Sequence, residues 1–339
     1  MGFVARKSFK VMPGVRMTVS KSGLSTSAGV RGARVSVNSK GQVRRTVGVP
    51  GTGVYHTKRI VSGARNGASP RQPQGRPATS PAPVPAAVKP GLMAPKWEKA
   101  LYKAIQAGRF QDLAGIAQAH PVAAPLIAAL DGLTAMSNGD NARALGALRY
   151  AWAQPGRVEE HPFVRAYLPT SHVTINIAEG VSATLPISRD ATGLALVELE
   201  QDAGNLEAAI TTAEQLEPSA LAAVSLCELY LEVGRHGDVV AITNQLTNDD
   251  DPTCLLLAFR GAAFREQGMA TAAREAFKTA LKSKSRDAAI RHFALVERAK
   301  SYAAEGKNAM ARKDLERVLA EDANHPGVRE LVDEIEAAT

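Results

Sequence analysis

The spacing of apolar and polar residues changes character along the chain, and each change marks a different kind of structure. Over residues 1–60 the period is two. Met17 and Val19 alternate with Arg16, Thr18 and Ser20, and Val35 and Val37 alternate with Arg34, Ser36 and Asn38. That pattern predicts half-exposed strands with one apolar and one basic-polar face. The stretch from Pro13 to Gly23 returns as Arg31 to Gly41, with a partial echo at Val49-Pro50-Gly51. Such a repeat predicts a small all-β meander of hairpins that turn at glycine. Residues 61–96 then lose all periodicity. Prolines from Pro70 to Pro95 alternate with Ala, Ser, Gln and Arg, a composition that favours an extended, coreless linker of about 3.1 Å per residue.

From residue 97 the period lengthens to that of a helix, punctuated by Gly108, Gly139, Gly204, Gly234, Gly268 and Gly306. Two-helix units turning at these glycines are expected over 97–154 and 189–339, about six in all, with 325–338 as a closing helix. The interval from Gly139 to Gly204 is about one unit too long. The excess, 155–188, reads as non-helical. Val173, Ile175 and Ile177 alternate with Thr174 and Asn176, and Val181, Ala183, Leu185 and Ile187 alternate with Ser182 and Thr184. An inserted β-hairpin is predicted, closed at Ala178-Glu179-Gly180, with Pro186 at a sheet edge. It would serve either as part of a binding face or as a wedge between two halves of the array.

Within the helical region the unit around Gly268 carries Gly261, Phe264, Ala273, Phe277 and Ala280 at fixed offsets. Ala299, Tyr302, Gly306, Ala311, Leu315 and Val318 follow the same register, as do Gly132, Ala135, Gly139, Ala144, Leu148 and Ala151. This small–aromatic–turn–small–aromatic pattern, with Trp97 at the signature tryptophan position, resembles the tetratricopeptide repeat. The resemblance implies an array whose first helices line a concave groove for a protein partner. In that register Arg265 and Lys300 would face the groove. Toward the other end of the chain, Gly2-Phe3-Val4-Ala5-Arg6-Lys7-Ser8-Phe9-Lys10, Ser20-Lys21-Ser22-Gly23-Leu24-Ser25 and Gly48-Val49-Pro50-Gly51-Thr52-Gly53-Val54-Tyr55 resemble a bacterial domain of unknown function, numbered 4236. That resemblance names a module without naming an activity. The expected architecture is therefore multidomain: an all-β module at 1–60, a Pro/Ala-rich linker at 61–96, and an all-α tetratricopeptide-like array interrupted by the hairpin at 155–188.

Charge sharpens the division. The chain holds 41 Lys and Arg against 33 Asp and Glu, net +8. Residues 1–96 carry 17 of the bases and none of the acids, so the head is +17 and the remainder −9. A basic face built from Arg6, Lys7, Lys10, Arg16, Lys21, Arg34, Lys40, Arg44 and Arg45 predicts an anionic partner: nucleic acid, an anionic surface or an acidic protein. The aromatics Phe3, Phe9 and Tyr55 are too few to predict a base-stacking platform.

Catalytic and metal chemistry finds little support in the sequence. Gly48 to Gly53 has neither dinucleotide nor phosphate-loop spacing, and reads as a turn. The seven histidines form no metal-binding pair, and Asp249-Asp250-Asp251 lacks the ligand spacing of a calcium loop. His161 and His172 flank the hairpin near Ser171, Ser188 and Asp190, but nearness in sequence does not make a triad. Cys227 and Cys254, in helical pattern, read as apolar filler. No cofactor is expected. An N-terminus without an apolar stretch and a body without a spanning segment predict a soluble, cytoplasmic protein. The combined reading is a non-enzymatic adaptor or scaffold. Its alternatives are a structural protein self-assembling through strand edges and an enzyme with a site beside the hairpin.

Overall fold

The computed structural model divides into two units, residues 1–86 and 87–339. It describes residues 89–337 in full, and in the first unit only the backbone of six segments between Arg6 and Val61. The expectations for the basic side chains of residues 1–60 and for the linker up to residue 88 lie outside the described residues.

Residues 89–337 fold into six helical pairs and a closing helix. The pairs are α1 (Lys96–Gln106) with α2 (Leu113–Ala119), α3 (Ala124–Ser137) with α4 (Asn141–Trp152), and α6 (Arg189–Asp202) with α7 (Leu206–Ala213). They continue with α8 (Ala220–Glu232) and α9 (His236–Ile242), α10 (Asp251–Glu266) and α11 (Ala270–Ala280), and α12 (Ala288–Ala304) and α13 (Asn308–Glu321). Helix α14 (Val328–Ala337) closes the array against α13.

All six recurring glycines sit where a helix ends, at φ between 64° and 80°, a region closed to most L side chains. Beyond each glycine the next amide donates to the carbonyl five residues back. The six bonds are Arg109 to Ala104, Asp140 to Ala135, Asn205 to Glu200, Arg235 to Tyr230, Met269 to Phe264 and Lys307 to Tyr302, at 2.7–2.9 Å. This is the Schellman closure, which satisfies the last carbonyls of the first helix and aims the chain into the second. First helices also receive polar caps: Ser188, Ser219 and Asp287 each accept from an amide of the first turn. Asp250 forms a capping box with Thr253.

The small positions are where paired helices touch. A Cβ on Gly261 would stand 2.5 Å from the Phe277 ring, and one on Gly132 would stand 2.5 Å from Leu148 Cγ. Ala299 and Leu315, at the same offset, are both fully buried. The repeat pattern is thus a packing code: a missing side chain on the first helix admits a large one from the second.

The insertion departs from expectation in its first half. Instead of irregular chain it contains a short helix, α5 (Pro162–Tyr167). Pro162 fits the first helical turn, where an amide is dispensable, and Phe163 and Tyr167 are one turn apart, so both rings land on one side. They join Trp97 and Tyr102 of α1 in an aromatic cluster with centroid spacings of 5.0–5.9 Å. The Tyr167 hydroxyl donates to Glu98. The second half is the hairpin, strands His172–Ala178 and Val181–Pro186, antiparallel, with Ala178 opposite Val181 and a bulge between Asn176 and Ala178. Gly180 takes the turn at φ 84°.

Candidate interaction surface

The hairpin lies across the first helices of the array. Its first strand packs on α3, α6 and α8, and Val173, Ile175, Ile177, Val181 and Ala183 are buried in the same core as the helices. At the turn, a Cβ on Gly180 would stand 2.8 Å from Ile290 Cγ1 and 3.1 Å from the Asp287 carboxylate, so the tip reaches the start of α12. The opposite face of the hairpin, with Thr174, Ser182 and Thr184, points to solvent. Thr174 and Thr184 hydroxyls meet at 3.0 Å across the strands. The period-two alternation therefore maps directly onto a buried and an exposed face. Of the two roles weighed for the insertion, the geometry supplies features of both. It packs against the first helices of four pairs, and its Thr174, Ser182 and Thr184 face is exposed.

Arg265 of α10 and Lys300 of α12 come together on one carboxylate. Arg265 Nη2 lies 2.8 Å from Glu297 Oε2, and Lys300 Nζ lies 2.6 Å from Glu297 Oε1. Glu297 is buried and Arg265 also pairs with Glu266, so both cations already have internal partners.

An acidic group lies beside the hairpin turn, and the sequence pattern did not single it out. Glu198 and Asp202 of α6, Glu228 and Glu232 of α8, and Glu179 of the turn act on one another electrostatically. Glu198 and Glu228 are half-buried. Burial, reinforced by the Glu228 charge, holds the Glu198 carboxyl well above the usual carboxylate range, although the Ser225 hydroxyl donates to it at 3.1 Å. Burial, with Glu232 and Glu179 adding to it, pushes Glu228 up to about 7. Desolvation also raises Asp202.

The remaining candidates have local duties. His161 Nδ1 accepts from the Phe163 amide and caps α5, and its ring meets Trp97 edge-on. His172 Nδ1 sits 2.7 Å from the Thr170 carbonyl, and Ser188 caps α6. These contacts do not assemble a triad. Asp250 caps α10, Asp251 accepts from the Asp287 amide and Asp249 from Thr247. Cys227 and Cys254 are free and buried; burial pushes their thiols up to about 12 and about 11. Among the described residues, no group of three His, Cys, Asp or Glu is placed to hold a metal, and no helix is long and apolar enough to cross a membrane. An open cleft of about 730 Å³ lies between Trp152, Arg189, Glu207, Thr211 and Gln215, with the Arg189 guanidinium 4.0 Å over the Trp152 ring.

Among solved structures, the N-terminal domain of the EccA1 ATPase from the ESX-1 secretion system of Mycobacterium tuberculosis is similar to this chain. It superposes with a TM-score of 0.52 at 16% identity, over 70% of this chain and 88% of that one. Residues 89–337 form a tetratricopeptide-like array. The APC/C hetero-tetramer Cut9–Hcn1 also matches, at 14% identity and a TM-score of 0.42, over 70% of this chain and 42% of that one. At the other end, residues 3–57 match the family described as protein of unknown function, DUF4236, the family that the three opening motifs resemble. No curated protein matches the chain.

Proposed function

We propose that the chain is a non-enzymatic protein-interaction scaffold that presents its inserted hairpin, rather than bare first helices, to a protein partner. The observation that carries this reading is the hairpin's placement across α3, α6 and α8. In tetratricopeptide-like arrays the first helices line the surface used for binding. With that surface covered, a partner meets the Thr174, Ser182 and Thr184 face and the acidic rim around Glu179. Arg265 and Lys300, held on Glu297, contribute to the rim as structural ion pairs. The test is capture from the source cell with full-length protein. Replacing Thr174 and Thr184 together by Arg should abolish a captured partner, while Lys278→Glu on the exposed side of α11 should leave it bound. Loss with Lys278→Glu and retention with the double variant would reverse the assignment.

The second half of the proposal concerns the head, and it rests on +17 in residues 1–96 without one acid. The backbone segments Arg6–Met12, Val15–Ser20, Gly23–Val30, Ala33–Asn38, Val43–Gly48 and Tyr55–Val61, each paired antiparallel with the next, support an all-β meander. Arg6, Lys7, Lys10, Arg16, Lys21, Arg34, Lys40, Arg44 and Arg45 supply its charge for an anionic partner. Fluorescence anisotropy of full-length protein with mixed-sequence DNA and RNA over a salt series tests this. Affinity should fall steeply as salt rises, and it should be lost when Arg16, Arg34, Arg44 and Arg45 are neutralised. Absence of binding at low salt removes nucleic acid as the partner.

A further inference from the structure

The hairpin is a two-stranded sheet, and the phase of its hydrogen bonds shows which backbone groups it leaves unused. At its base the Ile187 amide donates to the Ser171 carbonyl at 3.3 Å. Backbone groups in an antiparallel pair point alternately toward and away from the partner strand, so Val173 and Ile175 face Leu185 and Ala183 across the ladder. Ser182 and Thr184 therefore aim their N–H and C=O groups away from the first strand. Pro186 falls in the same outward phase, so its missing N–H costs the hairpin no bond. Ser182 and Thr184 are exposed, and among the described residues no backbone group outside the hairpin bonds to either.

The two edges are not alike. The first strand has α3, α6 and α8 packed against it and carries the bulge between Asn176 and Ala178. The second strand, Val181–Pro186, holds no charged residue, keeps its register from Ser182 to Pro186, and places its proline at the last position. Charge, bulges and internal proline are what keep an edge from pairing with a further strand, and this edge lacks them. Val181 and Ala183 are buried, which fixes the edge in place on the array.

Negative charge gathers at the turn end of that edge. Glu179 is exposed and acts electrostatically on Glu228 of α8, as does Glu232. Asp287, against the turn, is already engaged by the Ala289 amide and by Arg291. We propose that the second strand of the hairpin receives a third strand from a partner protein: an extended, uncharged segment flanked by Lys or Arg. Main-chain bonds to Ser182 and Thr184 hold it, and a flanking cation sits beside Glu179. The inference rests on the hairpin being the partner-facing surface, and adds how the partner is held there.

The probe is a labelled synthetic peptide of alternating Thr and Val with Lys at both ends, titrated against full-length protein by fluorescence anisotropy. It should bind saturably. N-methylating one alternate set of its amides should weaken binding by about tenfold or more, and methylating the other set should change it by less than about twofold, because only one set faces the hairpin. Ser182→Pro removes one outward N–H and should also weaken binding by about tenfold, whereas Ser182→Ala keeps that N–H and should not. Hydrogen–deuterium exchange over 172–178 checks that the ladder survives the proline. Glu in place of both Lys residues should weaken the peptide several-fold. No saturable binding, equal binding of the two methylated peptides, or unchanged binding to a folded Ser182→Pro variant overturns the third strand. So does a dimer, seen by light scattering, that Ser182→Pro breaks, since a second copy then holds the edge. Should these tests fail while the Thr174→Arg/Thr184→Arg variant still loses its captured partner, the hairpin face stands as the partner surface and the strand addition alone falls.

Discussion

Adding one methyl group at Gly261 tests the packing code that defines the array. Gly261 lies within α10, where Ala is favoured over Gly by about 1 kcal/mol on helix propensity alone. Its Cβ, however, would stand 2.5, 2.6 and 2.7 Å from three carbons of the Phe277 ring. That ring is fully buried and cannot swing away, so α10 and α11 must separate. Overpacking of this kind costs about 1–3 kcal/mol. After the propensity gain, Gly261→Ala should be net destabilising by up to about 2 kcal/mol. Gly146→Ala is the matched control. It sits on the exposed side of α4 with nothing within 4 Å of its added Cβ, so it should stabilise by about 0.5–1 kcal/mol. The two substitutions are chemically identical and should differ in sign. Urea denaturation of full-length protein, followed by far-ultraviolet circular dichroism, reads both midpoints against an unchanged slope. Gly261→Ala combined with Phe277→Leu should lose less than the sum of the single changes, because the smaller side chain relieves the clash. Equal stabilisation by both glycine variants would refute the reasoning.

Other consequences can be checked in the same way. The Glu200 side chain is 3% exposed and held below the ordinary carboxylate range, chiefly by its hydrogen bonds from Arg149. Arg149→Met, which strands that charge, should cost about 2–3 kcal/mol, and Glu200→Gln should cost less. The pair's contribution is present above the ordinary carboxylate range and is lost as pH falls through the lowered Glu200 value, so acid titration of Glu200→Gln should show a shallower loss. Cys227 and Cys254 should resist a thiol reagent in the folded protein and both react after urea unfolding; rapid labelling of either under native conditions would contradict their burial. Asp250→Ala removes the capping box of α10 and should destabilise by about 0.5–2 kcal/mol in denaturant titration, with Asp250→Asn retaining most of the cap.

Much of the array is legible in the sequence because its determinants are local. A glycine at the end of each first helix is demanded by a left-handed turn a few residues long, and Gly108 through Gly306 mark those turns one by one. The offset between Gly261 and Phe277 is likewise a property of one helical pair. The hairpin strands are legible by the same logic, since alternation is a property of neighbours along the chain. Where the hairpin rests is not. Its seat on α3, α6, α8 and the start of α12 is decided by residues far apart in sequence, such as Gly180 and Ile290. Helix α5 escaped notice because it is only six residues long and is held by rings from α1, not by its own periodicity. The acidic group was hidden for a related reason. Glu198 with Asp202, and Glu228 with Glu232, are each one turn apart and resemble an ordinary solvated helix face. Only the approach of α6, α8 and the turn brings the two pairs and Glu179 together.

The most direct test of the central claim is photocrosslinking of full-length protein in its own cell, with a photoreactive amino acid placed either at Thr184 on the hairpin's outer face or at Lys278 on the exposed side of α11. The account predicts a discrete adduct with a second protein from position 184 and none from position 278. An adduct formed at 278 but absent at 184 would contradict it, because the partner would then be reading the second helices and ignoring the hairpin.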